Sequence, residues 1–253
     1  MMDMNQALLF DVSNGIATIT INRPEARNAL NAEVREGIRA SVKSFAQNDD
    51  AKVLIITATG DVAFSSGADL KEMNDSAMTI PPDDFIPNFP THKPVIAAVN
   101  GAALAGGFLL AQQADLVIAV EHATFAITEV RHGRGAPWAA PLPLMIPPRL
   151  AMDLLLTGLP ITAARAHEIG LINYIVAPKD LMSTSVALAL ALVDNAPLSV
   201  AASKAMVRNS LSNALGESRT QANQIWSSVY LSDDAQEGPR AFKEKRAPRW
   251  SGH

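Results

Sequence analysis

Lys93-Pro94-Val95-Ile96-Ala97-Ala98-Val99-Asn100-Gly101-Ala102-Ala103-Leu104-Ala105-Gly106-Gly107 reads as a buried strand running into a glycine-bearing turn. Val95–Val99 is a short, continuous apolar run, the pattern of a strand covered on both faces. Val53–Thr57 and Leu116–Val120 repeat that pattern, and Thr124–Ile127 and Leu171–Val176 are weaker versions of it. Upstream, Ile16-Ala17-Thr18-Ile19-Thr20-Ile21 alternates with period two until Arg23-Pro24 ends it. From Leu30 the apolar positions Val34, Ile38, Val42 and Phe45 recur every three to four residues, which predicts an amphipathic helix. Buried strands separated by helical patterns imply right-handed βαβ crossovers and hence an α/β fold class.

Beyond Ala177 the texture changes. Leu181–Val193, Leu198–Leu211 and Glu217–Tyr230 are helical in pattern with no strand between them, and Ala196-Pro197 is their one strong break. The expected division is therefore an α/β core over 1–195 and a C-terminal helical region over 196–253. Pro81, Pro82, Pro87 and Pro90 cluster between Ser76 and Lys93, which reads as a loop in the position of a lid.

Composition removes several function classes. In 253 residues, Lys+Arg number 21 and Asp+Glu 25, a formal charge of −4, against the strongly basic balance of nucleic-acid proteins. No cysteine is present, which removes disulfides, thiolate nucleophiles and zinc–thiolate sites together. The longest apolar stretch, around Gly101–Ala111, is far short of the roughly 20 residues that span a bilayer. No membrane or nucleic-acid partner is expected, and the location expected is cytoplasmic.

Sequence signatures of dinucleotide and phosphate loops, zinc-protease helices and serine nucleophile elbows are absent. Two glycine-containing turns do follow buried strands: Ala63-Phe64-Ser65-Ser66-Gly67-Ala68-Asp69-Leu70-Lys71-Glu72 and Asn100–Gly107. Glycine admits close approach to backbone, and a helix that follows leaves N–H groups free in its first turn. Two such N–H groups converging on one oxygen would form an oxyanion hole. The competing reading gives Gly106-Gly107 a role in tight helix packing and Gly67 one in a tight turn.

At these residues the sequence resembles the enoyl-CoA hydratase/isomerase (crotonase) superfamily. The resemblance runs through Asn22-Arg23-Pro24, Asn28-Ala29-Leu30, Phe64–Met73, Lys93–Gly101, Ala114-Asp115-Leu116, Ala123-Thr124-Phe125 with Glu129, Leu155–Gly158, Ala166–Asn173 and Phe242–Arg246. It implies a spiral of ββα units whose C-terminal helices trimerise, commonly into a dimer of trimers. It also implies acyl-CoA substrates, no metal, and no cofactor beyond the coenzyme A of the thioester. By the same resemblance the N–H groups of Ala68 and Gly106 form the oxyanion hole, and Ala68, Asp69, Leu70 and Lys71 line the coenzyme A. Phe242 and Lys245 reach the coenzyme A of a neighbouring subunit. Read alone, Lys71 is equally a solvated helix-face charge, and Asp69 and Asp115 are residues that cap or orient backbone.

The acid/base set departs from the family's pattern. Two-acid hydratases place one glutamate two residues beyond the Gly-Gly pair and a second after the Ala-x-Phe segment. The second is present as Glu129, whereas the first position is Leu109. Without the resemblance, Glu129 would be read as a surface partner of Arg131 or Arg134, His132 as a solvent or interface group, and Trp138 as acyl-pocket wall or core. Three functions follow. The first is a hydratase-type lyase that forms an enolate with a single glutamate as acid and base. The second is a Δ3,Δ2-enoyl-CoA isomerase in which that glutamate shuttles one proton. The third is a catalytically silent acyl-CoA-binding protein.

Overall fold

The computed structural model describes residues 6–69, 72 and 85–252. Leu70, Lys71 and the first half of the proline-rich 76–93 loop lie outside the described residues. Two sheets organise the chain. The larger has the order β1 (Leu8–Ser13), β2 (Ile16–Ile21), β3 (Val53–Ala58), β5 (Val95–Val99), β7 (Leu116–Val120), β10 (Tyr174–Val176). The smaller has the order β4 (Ala63–Ser65), β6 (Ala102–Leu104), β8 (Thr124–Ala126), β9 (Ile161–Thr162). Among the described residues, only the β1–β2 and β8–β9 pairings are antiparallel.

The chain alternates between sheets. β3, β5 and β7 each enter the larger one and are followed by β4, β6 and β8 in the smaller. The β5–β6 pair then leads into helix α2 (Gly106–Gln113). This is the expected spiral of ββα units, and β2, β5 and β7 occupy their predicted spans. Every residue of β3 and β5 is buried, as continuous apolar runs require of strands covered on both faces.

Helix α1 (Ala32–Gln47) turns Val34, Ile38, Val42 and Phe45 inward, as predicted. It starts at Ala32 rather than Leu30 because the Leu30 N–H is committed to the Gly67 carbonyl at 2.8 Å, and Asn31 supplies the N-cap by accepting from Val34 N at 3.0 Å. At its far end the Lys93 ammonium donates to the carbonyls of Phe45 and Asn48 at 2.9 and 2.8 Å, a cation placed on the helix's negative terminus. The strand predicted over Leu171–Val176 shrinks to Tyr174–Val176. Leu171 and Ile172 instead point their N–H groups at the Ala166 carbonyl, closing the turn after helix α5 (Ala163–Glu168).

Helices α3 (Leu142–Met145) and α4 (Pro148–Thr157) follow the smaller sheet. Helix α6 (Leu181–Val193) lies on the larger sheet, with Ser185 and Ala189 buried where backbone must approach closely. Helices α7 (Pro197–Leu215) and α8 (Ser218–Tyr230) extend the predicted tail. An unpredicted helix α9 (Asp233–Lys243) follows, its pattern masked by Gly238-Pro239. Among the described residues no single helix is long and apolar enough to cross a membrane.

Candidate active site

Three short parallel strands of the smaller sheet, β4, β6 and β8, lie side by side with Ser65 opposite Ala103 and Leu104 opposite Ala126. Parallel neighbours end at the same edge, so the segments that leave them emerge together. These are Ser66–Asp69, Ala105-Gly106 and Ile127–Glu129. Ligands of open parallel sheets bind outside such carboxyl ends. The topology therefore brings together the two glycine turns and the glutamate singled out in the sequence.

The first turn is held from behind. Ser66 N donates to the Arg27 carbonyl at 3.0 Å and Leu30 N to the Gly67 carbonyl at 2.8 Å. The Arg23 guanidinium bridges the Ala29 carbonyl at 2.7 Å and the Asp69 carboxylate at 3.0 Å. Asp69 is thus an ion-pair partner that ties the turn to residues 23–30. Asn28 is the keystone of that support. Its backbone is left-handed, with φ 54°. Its amide donates to the carbonyls of Thr59 and Ala63 at 3.0 and 2.7 Å, and its Oδ1 accepts from Arg23 N at 3.0 Å. Asn28→Ala leaves two carbonyls and one N–H without this partner at a buried position and keeps an unfavourable φ. At about 1–3 kcal/mol for each group left unpaired, denaturant unfolding should register a loss of several kcal/mol.

The second turn passes through Ala105 at φ 49° and ψ −118°, a conformation suited to glycine. The Ala105 N–H is fixed by the Ala126 carbonyl at 2.9 Å, and the strained residue rotates the Gly106 N–H into the open first turn of α2. The two turns touch. A Cβ added at Gly67, where φ is 92°, would stand 2.8 Å from Ala105 Cβ and 3.0 Å from Gly106 N. Among the described residues, neither the Ala68 nor the Gly106 N–H is spent on a backbone acceptor. The packing reading of the glycine pair also holds, for the neighbour. A Cβ on Gly107 would meet the Ser65 carbonyl oxygen at 2.3 Å, so α2 can lie on β4 only with glycine there.

Glu129 begins a 3₁₀ turn, Glu129–His132, closed by Gly133 at φ 64°. Its partner is neither Arg131 nor Arg134: Oε1 accepts from the Trp138 indole Nε1 at 3.1 Å. Oε2 is buried with no hydrogen-bond partner among the described residues. Burial, opposed only in part by its hydrogen bonds, raises its pKa from 4.5 to about 7. A carboxyl at that value can both take and give a proton near neutrality.

The C-terminal helices clamp this segment. A Cβ on Gly238 of α9 would stand 2.0 Å from the His132 carbonyl oxygen, and one on Gly133 would stand 2.4 Å from that of Asp234. The Tyr230 hydroxyl, on α8, donates to the Gly135 carbonyl at 3.0 Å. Phe242 packs edge-on against the His132 ring at 5.9 Å, on the outer side of the clamp and 53% exposed. Lys245 follows in a left-handed conformation, φ 53°. Leu109, at the position of the family's other acid, is buried in the hydrophobic core. Asp115 orients backbone as read, accepting from Val95 N at 2.8 Å, and pairs also with Lys204 and Arg208. Among the described residues no cluster of three or more potential metal ligands occurs.

Sequence reasoning missed the Trp138–Glu129 bond and the α9 clamp. Tryptophan nine residues from a glutamate carries no periodic signal, since two 3₁₀ turns set that distance.

The buried carboxyl also carries a stability signature. Its native pKa lies above the ordinary value, so the folded state holds a proton that the unfolded chain releases between about pH 4.5 and 7. The associated penalty is absent below that window, grows through it, and reaches about 3 kcal/mol above it. Glu129→Gln should therefore raise the thermal midpoint at pH 8 and leave it nearly unchanged at pH 4.5. An equal shift at both values would mean that the carboxyl is not held neutral by burial.

A family model described as enoyl-CoA hydratase/isomerase matches residues 11–253. A carnitinyl-CoA dehydratase from Salmonella arizonae is 37% identical over 99% of this chain and 100% of its own length. Among solved structures, a carnitinyl-CoA hydratase from Mycobacterium avium superposes with a TM-score of 0.87 at 35% identity, covering 98% of this chain and 100% of that one. An enoyl-CoA hydratase/isomerase from Xanthobacter autotrophicus superposes at 0.85 with 29% identity, covering 94% and 93%.

Proposed function

The chain belongs to the enoyl-CoA hydratase/isomerase family, and from that premise we propose that this hydratase-type lyase of acyl-CoA thioesters moves water across the 2,3-bond with Glu129 as its single acid and base. In the dehydration direction the Glu129 carboxylate takes the α-proton of a 3-hydroxyacyl-CoA. The electron pair of that C–H bond passes into an enolate, whose oxygen accepts hydrogen bonds from the N–H groups of Ala68 and Gly106. Collapse of the enolate forms the 2,3-double bond and expels the 3-hydroxyl. The departing oxygen recovers the proton from Glu129 and leaves as water, and hydration is the reverse.

The observation that supports this most directly is a buried carboxyl with one oxygen unpartnered among the described residues, at the sheet edge where both glycine turns emerge. Each oxyanion donor is worth roughly 10²–10³ in rate. Leu109 supports a second reading, Δ3,Δ2-isomerisation, because shuttling one proton between C2 and C4 needs no second acid. Incubation with trans-2-enoyl-, cis-3-enoyl- and carnitinyl-CoA, with products identified by mass, separates the two. Gain or loss of one water supports the lyase, and an isobaric product supports the isomerase. Tight binding without turnover would leave only a binding role.

Coenzyme A is placed along Ala68–Lys71, with no further cofactor and no metal, and the enzyme is placed in the cytoplasm. Assembly as a homotrimer or dimer of trimers is part of the same proposal. It is supported by apolar side chains left open on α7, with Leu198 85%, Met206 66% and Val207 54% exposed, because apolar surface of this kind favours protein contacts. In that assembly Phe242 and Lys245 face the neighbour's coenzyme A. Light scattering at micromolar concentration should return three or six chain masses, and a monomer would overturn the assembly.

A further inference from the structure

We propose that Trp138 is a positioning residue for this reaction: its indole N–H holds Oε1 of Glu129, so that Oε2 alone exchanges the proton with substrate. The inference rests on the reading of Glu129 as acid and base.

The sequence left Trp138 between acyl-pocket wall and core, and the structure gives it a polar task. It sits in a 3₁₀ turn, Pro137–Ala139, started by proline, whose flanking Ala136 and Ala139 are core residues. Its ring lies 5.9 Å from that of Phe108, which makes an edge contact with Phe125 at 6.1 Å. Phe108 belongs to α2, the helix whose first N–H is that of Gly106. One helix thus carries an oxyanion donor at its start and, two residues on, the wall that orients the indole. The N–H then reaches Oε1 at 3.1 Å.

The chemistry of the donor gives this bond its consequence. Indole N–H donates and never accepts, and it does not titrate. Of the two carboxyl oxygens, the one facing it is favoured as acceptor in both protonation states, so the proton of the neutral acid resides on Oε2. Oε2 is also the oxygen with no hydrogen-bond partner among the described residues. The same atom is therefore base when the carboxyl is ionised and acid when it is neutral. With Leu109 in place of a second acid, both proton transfers fall to it. A phenylalanine would fill the same apolar space and leave the carboxyl free to rotate.

The test removes the N–H while keeping the ring. Trp138→Phe is the simple variant. 3-Benzothienylalanine incorporated at position 138 alone is the isosteric one, with sulfur in place of N–H. Both are compared with wild type and Glu129→Gln for kcat, KM, pH–rate profile and thermal midpoint. Misplacing a proton-transfer group by about 1 Å can cost on the order of 10² in rate. The expected result is a kcat lowered roughly ten- to a hundred-fold with KM nearly unchanged. The acidic limb of kcat/KM should also move to higher pH, because the lost hydrogen bond had favoured the ionised form.

If the benzothienyl protein keeps wild-type kcat and the same acidic limb while Glu129→Gln is inactive, Trp138 only fills space and the inference is overturned. If Glu129→Gln is itself active, the fault lies with the acid/base reading. A fall in kcat with no movement of the limb would also refute the inference, because packing damage alone accounts for it.

Discussion

Glu129→Gln should fold, bind acyl-CoA and turn over at most about a hundredth as fast as the wild type. General acid–base catalysis by one positioned group is worth roughly 10²–10⁴, and this chain has no carboxylate at Leu109 to share the work. Glutamine keeps the shape and can still accept from the Trp138 indole, so the loss should appear in kcat with KM little altered. The pH dependence supplies an independent check. With a carboxyl pKa of about 7, wild-type kcat/KM for dehydration should fall below neutrality as the base becomes protonated, and that limb should be missing from any residual Glu129→Gln activity. Retention of more than a tenth of wild-type kcat would end the single-acid mechanism and direct attention to His132. That side chain stands next to the site on the same 3₁₀ turn, its pKa lowered by burial and then by Arg131.

How far the sequence could be read depended on how each element is stabilised. β2, β5 and β7 lie within their predicted limits because strands buried by long-range packing show as apolar runs. β4, β6 and β9, of two or three residues, are invisible to periodicity, yet β4, β6 and β8 carry the site on their ends. The two glycine turns were legible because close backbone approach selects glycine. The alanine at φ 49° between Leu104 and Gly106 was not, since nothing local marks Ala105 as left-handed. Glu129 entered through the resemblance alone. On its own sequence it looked like a surface ion-pair partner, and the burial that makes it a plausible catalyst is produced by α8, α9 and Trp138, which approach through the fold. The same fold-level origin explains Asp69 and Asp115. Their partners, Arg23 in one case and Lys204 and Arg208 in the other, lie dozens of residues away.

Replacing one backbone hydrogen gives the sharpest test of the turns. Gly106→Pro deletes the N–H offered to the thioester oxygen and should reduce kcat/KM by at least about 10³, the upper value for one oxyanion donor, with further loss from distortion. Position 106 opens α2, where proline's missing N–H breaks no intrahelical bond and its fixed φ suits the helix. The helix should therefore survive, and a far-ultraviolet spectrum like the wild type's is expected. The distortion falls on Ala105, whose ψ of −118° lies outside the extended range preferred before proline. Gly106→Ala is the control. It keeps the N–H, and the added Cβ lies 2.9 Å from the Cδ1 of Ile86, the far end of a flexible side chain that can rotate away. A large loss with proline beside a loss within about ten-fold with alanine would assign the effect to the N–H and the Ala105 backbone that presents it, and not to the space beside Ile86. Equal losses would instead mean that the space beside Ile86, and not the hydrogen-bond donor, is what activity requires at this turn.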